Sequence, residues 1–563
     1  MKRRSFLTTL ASTAAVAAWR GVPTKADGSA QLAATGNELR FPTAWNGANM
    51  LMPAYINRQV WPGVNTNVIS TGGYPGATID LRWGQNLSVE IHNMMQSATS
   101  IHWHGLDVPS AMDGHPKDQI APNVAKRYTF DITNRASLYF YHSHAHMATA
   151  EQVYKGLFGL FRVRDDEEDA LGLPSGEFEV PLVVQDVQID SQSQLQYAPD
   201  MMDKMEGYLS NKILVNGTPD AFLKVKRGWY RFRLVNASNA RIYHIGFSDN
   251  REFHVIGSDG GLLSSSTSTQ TIPFAPGERY DILVDLTGLV IGSSVRLVSR
   301  QYTPTMGHMG NPNYPQGLPF DLLRLDAVEG QGVSYTIPAV LSVINRYNPS
   351  LATRTRVFEL QMQMMMGMKH TINGKLFAMD RIDERIARGS LEIWEFVNKD
   401  VDMVHPMHIH GGQFQVLSRN GSTDIPAWER GWKDTVIVNP SERVQLGVRF
   451  DTHTGVFLLH CHILEHEDDG MMMNYEVTAS TDVQEKNTSD TRAWYSPAQD
   501  AVIIRGIVSP SAHVSLYDSV GRLVFDKQAD FSSGETLVPA SIFPTGGYSL
   551  NVNGVLHQLL IVR

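Results

Sequence analysis

The stretch NLSVEIHN, residues 86–93, recurs twice along the chain, as WYRFRLVN at residues 229–236 and as LEIWEFVN at residues 391–398. Each copy follows a glycine, namely Gly73, Gly217 or Gly374, and each ends on asparagine. Alternation of apolar and polar residues with glycine, proline and asparagine between the segments is typical of β-strands. A segment repeated three times predicts three homologous β-sandwich domains in an all-β protein.

Length and composition set outer limits. The 563 residues suffice for about four domains of ordinary size. Lys and Arg number 48 against 57 Asp and Glu, a net charge of −9, so the chain has no overall positive charge for binding a nucleic acid. A single Cys excludes a disulfide framework, whereas 20 His and 23 Met provide side chains suited to copper.

The segments after the repeated asparagines differ between the three copies. HWHG, residues 102–105, comes after the first, HPMHIHG, residues 405–411, comes after the third, and only RIYHIGF, residues 241–247, comes after the second. The middle copy therefore lacks the histidine pair. We expect a site shared by the first and third domains, with the second domain as a spacer.

Four segments carry a His-x-His pair: HWH, HSH, HIH and HCH, at residues 102–104, 142–144, 408–410 and 460–462. Residues two apart on a strand point to the same face, so each pair presents two imidazoles to one metal centre. The same alternation directs Cys461 to the opposite face from His460 and His462. One short strand would then touch two metal sites and connect them for electron transfer.

Cys461 has candidate partners for a site of its own. His466 follows five residues later, Met471 follows His466 by five more, and His405 precedes the third histidine pair. Two imidazoles, one thiolate and a weak axial thioether are the ligands of an electron-transfer copper.

The motifs IHWHGLDVP, SDGGLL, GWKDTV and HCHILEHEDDGMM, within residues 36–480, resemble those of multicopper oxidases with three cupredoxin domains, in particular the exported bacterial cuprous oxidases and laccases. The resemblance implies Greek-key β-sandwiches and four copper ions. Type 1 copper would be held by His405, Cys461, His466 and Met471, and type 2 copper by His102 and His408. The type 3 pair would be held by His104, His142, His144, His410, His460 and His462.

The resemblance also implies a reaction. The type 1 copper would accept single electrons from a small reductant, and Cys461 would pass them to the other three coppers, which would reduce dioxygen to two waters. Asp113 and Glu467 match family positions that deliver protons. We expect dioxygen and a small reductant as partners, no nucleic acid, no membrane span and a monomer.

The reductant is suggested by a methionine-rich run, QMQMMMGMKH, at residues 361–370. Thioethers favour cuprous copper, and in cuprous oxidases of this family a substrate copper binds beside the type 1 site. Met362 and Met403 fall at matching places, and the carboxylate aligns with either Asp400 or Asp402, of which we select Asp402. The remaining candidate ligands for a substrate copper are Met364, Met365, Met366 and Met368. Apolar packing of these methionines, with a general laccase acting on phenols or aromatic amines, is the alternative.

Two other classes compete with an oxidase. HWHGLD superficially resembles a zinc hydrolase signature, but Val108 stands where that signature needs a histidine. A copper-binding or scaffold protein of the same fold, without enzymatic activity, is the second alternative.

The two ends of the chain point to export. Residues 1–26 resemble a twin-arginine signal peptide, with Arg3 and Arg4 before an apolar run too short to span a membrane. Residues 492–563 predict a small β-sandwich that resembles a type IX secretion sorting domain. Between the two ends, we expect cupredoxin domains at residues 36–165, 176–330 and 335–480. The signal-like start and the sorting-like end predict a periplasmic, cell-surface or secreted protein. We further expect this protein to take part in copper tolerance.

Overall fold

The computed structural model describes residues 36–302, 315–363, 367–479 and 492–561, without residues 46, 48, 49, 498, 506–510, 519–521, 533, 534, 553 and 554. The proposed signal peptide therefore lies outside the described residues. Within them, the chain is built from β-strands and four α-helices of five or six residues. This architecture confirms the all-β fold class.

The first domain holds the first two histidine pairs. Its strands are β2 (Met50–Leu51), β3 (Ala54–Arg58), β4 (Thr66–Ser70), β5 (Gly76–Arg82), β6 (Asn86–His92), β7 (Ile101–His104), β8 (Ala125–Asp131), β9 (Ser137–Ser143) and β10 (Phe158–Arg164). They form sheets of order β5-β10-β9-β7 and β2-β6-β8 and the hairpin β3-β4. A preceding strand, β1 (Asn37–Glu38), instead pairs with Ala221 and Phe222 of the second domain, although its position in the sequence assigned it to the first.

The second domain has two larger sheets. Its strands are β11 (Glu179–Val187), β12 (Lys212–Val215), β13 (Thr218–Pro219), β14 (Ala221–Lys226), β15 (Trp229–Asn236), β16 (Tyr243–Phe247), β17 (Phe253–Ser258), β18 (Gly261–Thr269), β19 (Thr271–Phe274), β20 (Arg279–Asp285), β21 (Ser294–Ser299) and β22 (Phe320–Val328). The sheet orders are β13-β12-β11-β15-β20-β17-β18 and β1-β14-β22-β21-β16-β19. Apolar side chains from both sheets form one core between them.

The third domain holds the other two histidine pairs. Its strands are β23 (Arg354–Gln363), β24 (Lys369–Ile372), β25 (Ile382–Ala387), β26 (Glu392–Asn398), β27 (His405–Ile409), β28 (Phe414–Arg419), β29 (Thr435–Val438), β30 (Arg443–Val448), β31 (Gly455–Cys461) and β32 (Met472–Thr478). They form two five-stranded sheets, β24-β23-β26-β30-β28 and β25-β32-β31-β27-β29. Cys461 and Met471 lie in the apolar core of this domain.

The C-terminal residues form a separate small sandwich with its own core. Its strands are β33 (Arg492–Ser496), β34 (Ala501–Arg505), β35 (Ser511–Asp518), β36 (Leu523–Asp530), β37 (Glu535–Pro539), β38 (Gly546–Val552) and β39 (Val555–Ile561). Its two sheets have the orders β33-β34-β37 and β36-β35-β38-β39.

The helices are α1 (Thr149–Tyr154), α2 (Asp166–Ala170), α3 (Met201–Glu206) and α4 (Leu464–Asp468). Helix α3 begins with a reciprocal capping box between Asp200 and Asp203. Helix α4 contacts both α1 and α3 and carries His466 between domains. Among the described residues, no helix is long and apolar enough to cross a bilayer.

The repeated asparagines explain why the three copies share a strand followed by the same turn. Asn93, Asn236 and Asn398 are buried, and each side-chain oxygen accepts a hydrogen bond from the backbone amide two residues later. Each side-chain nitrogen donates to two backbone carbonyls across the turn. These bonds satisfy backbone groups that would otherwise be buried without partners. The turn then leads to β7, β16 and β27, two of which carry histidine pairs.

Candidate metal centre

Strand register brings the histidine pairs together within each domain. In the first domain β7 and β9 are antiparallel with His102 opposite His142. In the third domain β27 and β31 are antiparallel with His408 opposite His460. Because side chains alternate between faces, the second histidine of each pair shares the face of the first.

The first and third domains meet on these faces, where eight imidazoles form one cluster. Its members are His102, His104, His142, His144, His408, His410, His460 and His462, all 3% exposed or less. Rings from the two domains interleave: the centroids of His102 and His410 are 3.7 Å apart, and those of His104 and His408 are 3.8 Å apart. Neither domain alone could form this site.

Neighbouring rings of the cluster can be grouped into three candidate metal positions, numbered one to three, although some rings lie close to more than one of them. At position one, Nε2 of His102 and Nε2 of His408 are 3.3 Å apart.

Position two combines His104, His142 and His462. Nδ1 of His104 lies 3.3 Å from Nε2 of His142, and the His462 ring centroid is 4.9 and 5.4 Å from the centroids of these two rings.

Position three combines His144, His410 and His460. Nε2 of His460 lies 3.3 Å from Nε2 of His144 and 3.0 Å from Nε2 of His410.

In each of five rings, the nitrogen that faces away from the cluster forms a hydrogen bond, and this bond determines which nitrogen points into the cluster. Nδ1 of His102, His142, His408 and His460 each lies 2.8 or 2.9 Å from a backbone carbonyl oxygen. A carbonyl oxygen can only accept, so Nδ1 carries the proton and the Nε2 lone pair faces inward. His104 is reversed, because its Nε2 donates to Oδ1 of Asp434 at 2.9 Å and leaves Nδ1 to face inward.

The electrostatics of the cluster also suit a metal. Burial lowers the pKa of seven of these histidines, His104, His142, His144, His408, His410, His460 and His462, and neighbouring cationic or imidazole groups lower it further. For His460 the pKa falls to about 3. Neutral imidazoles with converging lone pairs repel one another unless a cation lies between them. This donor set therefore fits metal ions with nitrogen preference, copper included.

A second candidate position surrounds Cys461. Its Sγ lies 3.6 Å from Nδ1 of His405 and 3.5 Å from Nδ1 of His466. Met471 is fully buried. It is adjacent to Cys461, since the Met471 backbone carbonyl accepts a hydrogen bond of 3.1 Å from the Cys461 amide. Burial raises the pKa of the Cys461 thiol, so a bound cation is needed to hold this sulfur as thiolate.

Besides Asp434, two carboxylates contact the cluster, and both were expected from the sequence. Oδ2 of Asp113 lies 2.8 Å from Nδ1 of His410, and its Oδ1 lies 3.3 Å from Nδ1 of His102. Glu467 has one carboxylate oxygen 3.4 Å from Nδ1 of His144 and the other 3.4 Å from Nδ1 of His460. Burial raises the pKa of both carboxyls, and for Glu467 the neighbouring Asp468 raises it further.

Sequence reasoning missed four groups that orient the ligands. Asp434 accepts from His104, and Arg279 of the second domain forms a two-pronged ion pair with Asp434. The Met205 carbonyl lies 2.9 Å from Nε2 of His466 and from Nε2 of His370, whose ring packs against His466 at 4.1 Å. Asp434 lies within the GWKDTV motif, but neither motif nor spacing shows which ring a distant carboxylate or carbonyl will meet.

The candidates for a substrate site lie in different surroundings. Oδ2 of Asp400 lies 3.1 Å from Nε2 of His405, and its Oδ1 accepts from the Met362 amide at 2.9 Å. Asp402 is partly exposed and forms no hydrogen bond with His405. Met403 is 7% exposed and packs with Ile242 and Ile437. Met368 is partly exposed, and Met364, Met365 and Met366 lie outside the described residues.

Comparison with known proteins gives matches over most of the chain. Three family models that describe multicopper oxidases match residues 54–168, 178–290 and 347–481. The multicopper oxidase mco of Staphylococcus haemolyticus is 32% identical over 411 residues, which cover 72% of this chain and 83% of that protein. The family matches end at residue 481, before the C-terminal sandwich.

Solved structures of multicopper oxidases are also similar to this chain. The multicopper oxidase McoA of Aquifex aeolicus has a TM-score of 0.72 at 34% identity and covers 79% of this chain and 100% of its own. The laccase-like multicopper oxidase CueO of Ochrobactrum sp., described as active towards lignin model compounds, has a TM-score of 0.70 at 31% identity and covers 78% of this chain and 100% of its own.

Proposed function

This chain belongs to the multicopper oxidase family, and we propose that it couples four one-electron oxidations of a small reductant to reduction of one dioxygen, with four protons, to two waters. The observation that carries this proposal is the placement of Cys461 between His460 and His462, which joins the sulfur site to the histidine cluster. When bound, copper ions would supply one-electron exchange at the sulfur site and dioxygen reduction at the cluster.

We assign four copper ions to the described donors. His405, Cys461, His466 and Met471 would hold type 1 copper, and position one, His102 with His408, would hold type 2 copper. Positions two and three would hold the type 3 pair. The assignment is supported by the inward-facing lone pairs of the cluster and by the two imidazoles that contact the thiol sulfur.

The chain offers a short electron path between the two sites. Cys461 is bonded through the backbone to both His460 and His462, which belong to positions three and two. A hydrogen bond of 2.9 Å from Nδ1 of His460 to the Cys461 carbonyl adds a second route. We propose that electrons travel along these connections.

Asp113 and Glu467 are the groups that we propose to deliver protons. Burial raises the pKa of both carboxyls, which favours the protonated form that a proton donor needs. Their contacts with His102, His144, His410 and His460 place them at the edge of the cluster.

Cuprous ion is the reductant that we favour. Asp400, which contacts His405, would attract a cation. Met362 is next to Asp400, because its backbone amide donates a hydrogen bond to the Asp400 carboxylate. Among the described residues, Asp400 and the Met205 carbonyl cover the Nε2 atoms of His405 and His466, and both rings are buried. A small ion can approach such an edge more closely than a bulky phenol, so the burial favours a cuprous oxidase over a general laccase. Met403, Asp402 and the methionines at 364, 365, 366 and 368 complete the candidate ligands.

Export and copper tolerance are part of this proposal. Export is supported by the twin-arginine-like sequence and by the C-terminal sandwich, whose proposed role is a secretion sorting signal. The chain would then act in the periplasm or at the cell surface as a monomer.

The proposal is tested by counting copper and measuring spectra of the purified full chain and of Cys461→Ser. We expect about four copper ions per chain and a blue absorption band in the parent, and loss of one copper, the band and oxidase activity in the variant. A buried serine of similar size controls for packing, and unfolding temperature verifies the fold. A colourless parent without bound copper would favour a scaffold protein, and a zinc-loaded colourless parent would favour a hydrolase.

A further inference from the structure

The second domain holds no copper ligand in the proposed assignment, yet one of its turns reaches the histidine cluster. This turn, residues 275–278, connects β19 and β20 and is followed by Arg279. Its backbone is closed by a hydrogen bond of 3.0 Å from the Glu278 amide to the Ala275 carbonyl. The Glu278 carboxylate bonds back to the Ala275 amide at 2.8 Å.

Arg279 acts on His104 through Asp434. Nη1 of Arg279 lies 2.6 Å from Oδ1 of Asp434, and Nη2 lies 2.5 Å from Oδ2. Oδ1 of the same carboxylate accepts from Nε2 of His104 at 2.9 Å. A two-pronged ion pair fixes both the position and the plane of a carboxylate. His104 is thereby held with Nδ1 directed at His142.

Buried charges hold the turn and Asp434 in place. Lys433, which is fully buried, lies 3.0 Å from Asp259 and 3.1 Å from Glu278. Asp259 also accepts from the Arg279 amide at 2.8 Å and from the Asp434 amide at 3.3 Å. Removing one member of a buried ion network leaves the others uncompensated. The second and third domains are therefore locked together directly behind the cluster.

Gly277 of the same turn acts on His462. Its φ is +82°, and a Cβ there would lie 2.9 Å from Cδ2 and 3.0 Å from Nε2 of His462. Only glycine permits this backbone to pack so closely against the imidazole. Neither ring nitrogen of His462 has a hydrogen-bond partner in another described residue. Packing against Gly277 thus takes the place of the hydrogen bond to a carbonyl or carboxylate oxygen that orients most of the other rings.

We propose that the turn of the second domain positions two of the three ligands of the metal at position two, His104 and His462. Through the Asp434 carbonyl, which accepts from Nδ1 of His408 at 2.8 Å, it also reaches one ligand of position one. His104 is set by Arg279 through Asp434 and His462 is set by Gly277, while position three has no contact of this kind with the turn among the described residues. The inference rests on the proposed assignment of copper to the cluster. It gives the second domain a role beyond that of a spacer: Arg279 and Gly277 are positioning residues for one half of the type 3 pair.

The test uses the full-length protein with Arg279→Gln and Gly277→Ala. We expect both variants to keep the blue band and to bind about three copper ions instead of about four, with affinity for the last ion lowered about ten- to a hundredfold in chelator competition. A coupled cupric pair gives no EPR signal, whereas a lone cupric ion does. EPR-visible copper should therefore rise from about two to about three ions per chain, although total copper falls.

Arg162→Gln is the matched control. Arg162 is also buried and links the first and second domains through its ion pairs with Asp80 and Glu179. We expect this variant to unfold at a lower temperature than the parent. It should still bind about four copper ions per chain and keep the EPR-silent pair. Arg279→Lys keeps the positive charge but cannot form the two-pronged ion pair, so it replaces Arg279→Gln in the test if that variant does not fold. Arg279→Lys should likewise lower the affinity for the last copper ion.

Two failures are distinguishable. If the parent chain binds no copper at the cluster, the proposed function is wrong. If the parent binds a full set and the Arg279 and Gly277 variants keep that set and the silent pair, the positioning role is wrong. Equal copper loss in Arg162→Gln would show a general effect of domain contacts and would also overturn the inference.

Discussion

Replacing Asp400 with Asn separates a cuprous oxidase from a general laccase. The substitution removes one negative charge and preserves shape, and the Asn amide oxygen can still accept the hydrogen bond that Nε2 of His405 donates to Asp400. Burial acts to raise the pKa of Asp400, but the nearby imidazoles of His370 and His405 outweigh it and hold the pKa below its usual range. The lowered pKa favours the ionised carboxylate, whose negative charge would attract a cation.

The magnitude depends on the position of the carboxylate. A cation 4 Å from a carboxylate gains about 1 kcal/mol in bulk water and about 4 kcal/mol at an effective dielectric constant of 20. The Asp400 side chain is 9% exposed, so its environment lies between these limits. A loss of about 1.4 to 2.8 kcal/mol corresponds to about ten- to a hundredfold weaker binding of cuprous ion.

Dioxygen consumption with a cuprous complex and with a phenol, measured side by side, gives the comparison. We expect Asp400→Asn to raise KM for cuprous ion by that factor with little change in kcat, and to change phenol oxidation less than about threefold. Asp402→Asn is the control, because the residue is two positions away and forms no hydrogen bond with His405. An effect confined to Asp402→Asn would assign the substrate carboxylate to that residue. Equal loss on both substrates, or none, would refute the electrostatic argument.

Three further predictions concern the cluster, the methionines and the tail. His408→Ala should abolish dioxygen reduction but leave a blue centre that a reductant bleaches, because electrons enter and cannot leave; undiminished turnover would exclude the type 2 assignment. Replacing the methionine run with leucine preserves side-chain volume and apolarity but removes the sulfur atoms; the positions to change are Met364, Met365, Met366 and Met368. This variant should oxidise cuprous ion more slowly, with phenol oxidation unchanged or improved. Equal rates of cuprous oxidation in variant and parent would indicate that these methionines only pack. Truncation near Asp490 should keep copper and activity but retain the protein inside the cell envelope of its native host, whereas equal surface delivery would rule out a sorting role for the tail.

Much of this protein is determined by short-range patterns in its sequence. Two-residue alternation and a threefold repeat predict an all-β chain, because strand periodicity and turn chemistry are local properties. The repeated asparagines close the same turn in each copy for the same reason. The His-x-His pairs and the Cys461 segment could be recognised as candidate ligands because the donor atoms lie two to five residues apart.

Tertiary structure decided what depends on contacts between distant segments. Strand register and the meeting of the first and third domains determine that His104 lies within reach of His142, His408 and His462, which are distant from it in sequence. Asp400 rather than Asp402 meets His405, because the chain between β26 and β27 is irregular and has no period that sequence could follow.

The second domain shows the same limit most clearly. By its sequence it is the copy that lost its histidine pair, and nothing local marks Gly277 or Arg279 as neighbours of the cluster. Their placement depends on buried charges, Asp259, Glu278 and Lys433, that pair only when the second and third domains have packed together. Local sequence therefore determined which side chains can bind a metal, and long-range packing decided which of them share one and what holds them there.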